Sequence, residues 1–121
     1  MRVFIAGAAG VIGRKLVPLL LTAGHAVTGT TRSPAKAETL RAAGATAVAV
    51  DVFDAAALRD AVRAAQPDVV VHQLTDLPRN LPPDRLAEGL ARTARIRREG
   101  TPNLVEAARL AGARRLVAQS I

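Results

Sequence analysis

Arg2-Val-Phe-Ile-Ala-Gly-Ala-Ala-Gly-Val-Ile-Gly13 decides how the rest of the chain is read. Val3 to Ala6 is a short apolar run, the pattern of a strand buried on both faces of a parallel sheet. Gly7, Gly10 and Gly13 follow at three-residue spacing, and Ile12, Leu16, Leu19, Leu20 and Ala23 then fall on one helical face. A strand, a glycine turn and a helix in that order bring backbone N–H groups and a helix N-terminus up to a phosphate. The glycines serve separate needs: a tight turn, close approach of backbone to a pyrophosphate, and close packing of helix on strand. Gly7, Ala9, Gly10, Val11, Ile12 and Gly13 are therefore the first candidates for a dinucleotide phosphate site. The plainer reading is a tight strand-to-helix turn that holds no ligand. A P-loop is excluded, because it needs Gly-Lys followed by Ser or Thr, and Gly13 is followed by Arg14-Lys15-Leu16.

Outward from that turn, strands and helices alternate. Gly24-His25 stops the first helix, and Ala26 to Thr31 is a second strand. Ser33 caps a short helix with Pro34 at its first position; Leu40 faces inward and Gly44 closes it. Thr46 to Val50 is a third strand, ending at Asp51-Val52. Asp54 caps the next helix, with Leu58, Ala61, Val62 and Ala65 as its buried stripe and Pro67 as its stop. Val69 to His72 is the strongest strand signal in the chain. Thr75 to Pro83, with three prolines, is expected to be a surface loop. Asp84 opens a long helical region carrying Leu86, Leu90, Leu104, Val105, Ala108 and Ala111. Gly100-Thr101-Pro102 interrupts that region, so a kink or a restart capped by Thr101 is expected. Gly112 ends it, and Arg115 to Ser120 is a fifth strand.

Five such alternations predict an α/β, Rossmann-like doubly wound parallel sheet in strand order 3-2-1-4-5, truncated after strand 5. The ligand of such a sheet sits at the carboxyl ends of strands 1 and 4, where the order reverses. At 121 residues the chain is expected to form one domain, 1–121, with a real core. Half of the residues are hydrophobic, which argues against disorder. The absence of Cys excludes disulfide and thiolate chemistry and suits a cytoplasmic protein. The start resembles a signal peptide only superficially, since glycines break its apolar region. No apolar stretch reaches the roughly 18 residues that a membrane span needs.

The formal charge is +7, from 17 Lys and Arg against 10 Asp and Glu. A basic domain attracts nucleic acid or anionic ligands. Nucleic acid is not expected here, because Phe4 and Phe53 are the only aromatic residues and neither lies in an Arg cluster. A phosphate-rich cofactor is the smaller claim. Arg32 follows the second strand, where dinucleotide folds often place an acid for the ribose 2′-hydroxyl, and no acid occurs near it before Glu38. A guanidinium there pairs bidentately with a 2′-phosphate, which favours NADP over the alternative, NAD. Arg14 and Lys36 are candidate helpers, and all three are otherwise solvated surface cations. Asp51 and Val52 are candidates for the adenine, the carboxylate accepting from its amino group and Val52 packing on the ring; Asp51 serves equally well as a turn residue. His72 lies inside a very apolar strand, and is assigned to structure as a hydrogen-bonded core residue. Arg92, Arg95 and Arg98, with Arg97 adjacent, read as a solvated helix face; a partner surface or an acidic substrate is the sharper alternative. Two His and no Cys give no metal-ligand spacing.

Val3 to Gly13 resembles the cofactor turn of extended and atypical short-chain dehydrogenases/reductases, the NAD(P)-dependent epimerase/dehydratase family. Asp51-Val52 resembles the adenine-contacting pair of that family, and Val70-Val71-His72 its fourth strand. Gly100-Thr101-Pro102-Asn103-Leu104-Val105-Glu106-Ala107 resembles its Gly-Thr-x-Asn-Leu helix. The resemblance implies that Leu74 and Thr75, after the fourth strand, also meet the cofactor. It departs from the family at Gln73, Leu74 and Thr75, where the family usually has two small residues after the His and one further position, and at Arg97, which stands where the family has an Asn near the nicotinamide ribose.

Family catalysis uses a Tyr-x-x-x-Lys pair and a Ser or Thr just beyond strand five. This chain has no Tyr, and only Ser120 lies near the Ser/Thr site, so no catalytic residue is assigned. The resemblance therefore implies the N-terminal, cofactor-binding portion of a longer NADP-preferring oxidoreductase or epimerase, acting on a small-molecule substrate and inactive alone. The rival reading is a non-catalytic dinucleotide-sensing or partner-binding module, or a truncated relic. An unpaired outer edge on strand five leaves association into a homo-oligomer open.

Overall fold

The computed structural model of the chain describes residues 1–74 and 83–119. Strands and helices alternate as β1 (Arg2–Ala6), α1 (Val11–Thr22), β2 (Ala26–Thr31), α2 (Pro34–Ala42), β3 (Thr46–Ala49), α3 (Ala55–Ala65) and β4 (Val69–His72). After a short 3-10 turn at Pro83–Arg85 come α4 (Leu86–Arg95), a π turn (Ile96–Gly100), α5 (Thr101–Leu110) and β5 (Arg115–Ala118). The strands form one parallel sheet in the order β3-β2-β1-β4-β5, so the direction of winding reverses between β1 and β4.

Side chains alternate across β1 and divide the core in two. Val3 and Ile5 join Val17, Val27, Leu40 and Val71 beneath α1 and α2. Phe4 and Ala6 join Leu58, Val62, Val70, Ile96 and Leu104 beneath α3, the π turn and α5. Burial on both faces explains why β1 and β4 read as continuous apolar runs. The caps anticipated for α2 and α3 are present: Ser33 Oγ accepts from the Lys36 N–H at 3.3 Å, and Asp54 Oδ1 from the Ala57 N–H at 3.1 Å. Among the described residues no helix is long and apolar enough to cross a membrane.

Several elements differ from the periodicity. α1 buries Gly13 and Val17, with Leu16, Leu20 and Leu21 partly covered, while Ile12, Leu19 and Ala23 face outward. Gly13 causes the rotation, because a Cβ there would lie 2.4 Å from the Ala8 carbonyl oxygen; the helix rests on its glycine row. Leu86 and Leu90 are about half exposed, and α4 turns Gly89 and Thr93 inward instead. The long helical region is not restarted by a Thr101 cap. It continues through the π turn, Thr101 has helical angles, and its side chain caps nothing. The π turn adds backbone within the helix and brings Ile96 and Gly100 together onto the core. Space there is tight, since a Cβ on Gly100 would lie 2.8 Å from Val52 Cγ1. The third strand ends at Ala49 and the fifth at Ala118, each short of the residue anticipated. Most of the expected loop at Thr75–Pro83, together with Ser120, lies outside the described residues.

Candidate functional site

The carboxyl ends of β1, β2 and β3 open into a cleft of about 480 Å³. The three glycines contribute to it in different ways. Gly7 leaves β1 at φ +86°, and a Cβ there would lie 2.6 Å from the Gln73 carbonyl oxygen. Only glycine fits both the angle and the space. Gly13 is committed to helix packing, as described above. Gly10 is different: its φ is −75°, and a Cβ would meet only the Gly7 carbonyl oxygen at 3.6 Å, an ordinary contact. Nothing among the described residues demands glycine at position 10. What an added side chain would fill is the cleft, which Gly10 lines together with Gly7, Ala9 and Val11.

Gly10 is also the N-cap of α1, where no side chain caps the helix and its first turn carries no acid. The leading N–H groups and the positive end of the helix dipole therefore remain available to an anion. The turn is held from the neighbouring strand, where Thr30 Oγ1 accepts the Gly7 N–H at 3.1 Å and the Thr30 carbonyl accepts the Ala8 N–H at 3.0 Å.

At one end of the cleft stand Thr31, Arg32, Ser33 and Lys36, from the β2–α2 corner. At the other, Val50, Asp51, Val52 and Phe53 come from the end of β3 and Arg92 and Ile96 from the α4 side, while Gln73 and Leu74 close the floor after β4. Asp51 is the one acid among these lining residues, against Arg32, Lys36 and Arg92. Among the described lining residues cations outnumber acids, which suits a ligand carrying phosphate. Asp51 Oδ1 accepts the Phe53 N–H at 2.9 Å in a turn, and the residue also lines the cleft. Asn103, on α5, donates from Nδ2 to the Val52 carbonyl at 3.0 Å and pins this loop from across the sheet face.

Of the candidates drawn from the sequence, the structure brings Gly7, Ala9, Gly10, Val11, Arg32, Asp51, Val52 and Leu74 to one cleft. Ile12 and Gly13 do not line it, because the first points outward from α1 and the second is buried against Ala8. Lys36 lines it and Arg14 does not. Thr75 and Ser120 lie outside the described residues. The Arg run is more than a solvated face, since Arg92 reaches the cleft and the Arg95 guanidinium lies 4.3 Å from the centre of the Phe53 ring. Sequence reasoning missed Thr30, Gln73, Phe53 and Asn103. Asn103 stood in the quoted Gly-Thr-x-Asn-Leu motif, but its partner is 51 residues away.

His72 is buried at the end of β4. Its Nδ1 accepts the Leu74 N–H at 3.3 Å, which leaves the proton on Nε2 to be donated to Thr101 Oγ1 at 2.8 Å. Burial, and then the positive charge of Arg97, hold its pKa below the ordinary histidine value. It is a neutral, hydrogen-bonded side chain, and Thr101 is its partner rather than a helix cap.

Known proteins resemble this chain throughout. A family model described as NAD(P)H-binding matches residues 7–121. A 3-diazoavenalumate denitrifying reductase from a Streptomyces species is 52% identical over the whole chain, which spans 38% of that protein's length. The Bordetella bronchiseptica enzyme WbmG, solved with NAD and UDP, aligns over 98% of this chain and 37% of its own at 27% identity and a TM-score of 0.76. A Thermus thermophilus UDP-glucose 4-epimerase, solved with NAD, aligns over 96% of this chain and 36% of its own at 28% identity and a TM-score of 0.79. On this likeness of sequence and sheet, the chain belongs to the NAD(P)H-binding family, among the proteins of short-chain dehydrogenase/reductase and epimerase type.

Proposed function

We propose that residues 1–121 are the cofactor domain of an NADPH-preferring reductase. The observation that carries this reading is the chemistry at Gly10: an uncapped helix N-terminus and a position where a side chain would obstruct the cleft but not the fold. Ala9 and Val11 would offer backbone N–H groups to the pyrophosphate, and Gly7 and Gly10 would give it close approach to the backbone. Asp51 and Val52 would take the adenine, and Leu74 would lie along the cofactor beyond the turn. Arg32, aided by Ser33 and Lys36, would take a 2′-phosphate. Among the described lining residues no acid stands at that corner of the cleft, and Glu38, the nearest in sequence, is paired with Arg41 at 2.6 Å. A carboxylate serving the 2′-hydroxyl of NAD has no counterpart among these residues.

When bound, the nicotinamide supplies a hydride; the chain's own residues bind and orient it and exclude water from the phosphates. The proton that accompanies reduction needs a donor, and the 121 residues contain no Tyr to provide one in the family manner. The reductase identity leans on the Streptomyces relative, and the donor and most of the substrate site would come from other parts of a longer protein. The second reading is a module that senses dinucleotide without turnover.

Titration of the chain with NADPH and NADH, followed by calorimetry or nicotinamide fluorescence, tests the cofactor reading. Saturable binding, with NADPH tighter by about tenfold, is expected from one added charge-assisted pairing. A folded chain that binds neither overturns the reading, and equal affinities overturn the NADPH preference. Turnover of a carbonyl or diazo substrate by a longer protein containing this domain, once its downstream tyrosine is in place, separates reductase from sensor.

A further inference from the structure

A second, smaller cleft of about 300 Å³ lies at the carboxyl ends of β4 and β5, lined by His72, Arg97, Thr101, Ala118 and Gln119. Its polar groups are arranged as donors. Thr101 Oγ1 receives the Nε2 proton of His72, so the threonine's own hydroxyl proton is free to point elsewhere. Within the described residues neither Arg97 nor the Gln119 side chain makes an ion pair or hydrogen bond. That sets Arg97 apart from Arg41, Arg63, Arg95 and Arg109, each paired with an acid three or four residues away on its own helix.

Arg97 is half-buried, carries a full charge and has no acid among the cleft's lining residues. Among the described residues its charge acts on His72, whose pKa burial and then Arg97 hold below the ordinary value. A partly desolvated guanidinium without a counter-ion is costly unless something supplies one. The π turn places it: Arg97 and Thr101 are four residues apart and meet at the same cleft.

We propose that Arg97, Thr101 and Gln119 form a subsite for a carboxylate carried by the reductase's small-molecule substrate. The inference rests on the cofactor reading above, which supplies the hydride that such a substrate would receive. Charge selects carboxylate over phosphate. One guanidinium, one hydroxyl and one amide answer a single negative charge, and the guanidinium fork matches the planar carboxylate edge. The larger cleft, with its three cations, is the one equipped for phosphates. The exposed Arg98, next in sequence, does not line the cleft and serves as the internal control.

The test is an NMR titration of the isotopically labelled chain with benzoate, with neutral benzamide, and with inorganic phosphate. Benzoate is expected to shift the Arg97 Nε–H and the Thr101 amide saturably, while benzamide leaves them in place. Arg97→Gln should weaken benzoate at least about tenfold, the usual worth of a charged hydrogen bond, whereas Arg98→Ala should leave it unchanged. Amide dispersion of each variant shows that it is folded, and Arg97→Lys, which keeps the charge and loses the fork, should fall between. Equal shifts with benzamide, tighter binding of phosphate, or an equal loss in Arg98→Ala each overturn the subsite. NADPH affinity of Arg97→Gln is expected to stay unchanged, and a loss there assigns Arg97 to the cofactor instead. Failure of the unaltered chain to bind NADPH is read independently of the benzoate shifts, and sinks the cofactor reading on its own.

Discussion

Replacing Gly10 by Val separates a ligand's requirement for glycine from the fold's. The backbone at Gly10 has φ −75° and ψ −177°, an extended conformation that a β-branched residue adopts without strain. The first atom added would sit 3.6 Å from the Gly7 carbonyl oxygen and near no other atom of the described residues. Stability should therefore change by no more than about 0.5–1 kcal/mol, the small term coming from a poorer N-cap residue. Binding should respond very differently, because the new methyl groups occupy the cleft and hold a pyrophosphate off the leading N–H groups of α1. Each charge-assisted hydrogen bond lost is worth about 1.5–3 kcal/mol, so losing one weakens NADPH by about tenfold to a hundredfold, and losing two abolishes measurable binding.

Gly13→Ala provides the contrast. Its Cβ would fall 2.4 Å from the Ala8 oxygen and 2.7 Å from the Gly7 oxygen, both backbone atoms that cannot step aside cheaply. Overpacking of that kind costs about 1–3 kcal/mol, so this variant should lose thermal stability first. The assay is a thermal melt and an NADPH titration on both variants. Gly10→Val that melts normally and binds normally would falsify the phosphate-turn reading outright.

Arg32→Glu should weaken NADPH far more than NADH; equal losses would make Arg32 a bystander. Asn103→Ala removes the 3.0 Å bond to the Val52 carbonyl and should cost about 0.5–1.5 kcal/mol in the melt, with a matching loss of cofactor affinity if the Asp51–Val52 loop holds the adenine. His72 links stability to pH. Its folded pKa lies below the ordinary value of 6.5, so the folded chain binds fewer protons than the unfolded one, and stability present above pH 6.5 is lost as pH falls toward the folded pKa. His72→Leu should flatten that part of the pH profile while leaving NADPH affinity intact; an unchanged slope would refute the assignment of a neutral, buried imidazole.

The sheet order, the first three helices and the glycine turn were legible in the sequence because each rests on local rules: strand alternation, caps at Ser33 and Asp54, and turn glycines. What escaped depended on atoms far apart in the chain. Periodicity assigned Ile12 and Leu19 to the buried side of α1, yet the close approach permitted by Gly13 rotated the helix. Pro102 suggested a break with Thr101 as cap, but a helix with a π turn absorbs the proline in the first turn of α5, and Thr101 is drawn instead to His72, 29 residues earlier. Phe53 and Arg95 looked unrelated until the β3–α3 loop and α4 were set side by side.

The peptide joining Gln73 and Leu74 lines the larger cleft and bonds a side chain of the smaller one. On one side it presses against Gly7 so closely that a single methyl group would not fit, and on the other its N–H holds the imidazole that orients Thr101. A peptide shared in this way leaves the clefts energetically separable only while it stands still. If an occupant of the glycine turn displaces it, the hydroxyl at Thr101 must be re-aimed, and the free energy of that influence has to be the same when read from the opposite side. The order in which two molecules arrive then changes nothing in the sum.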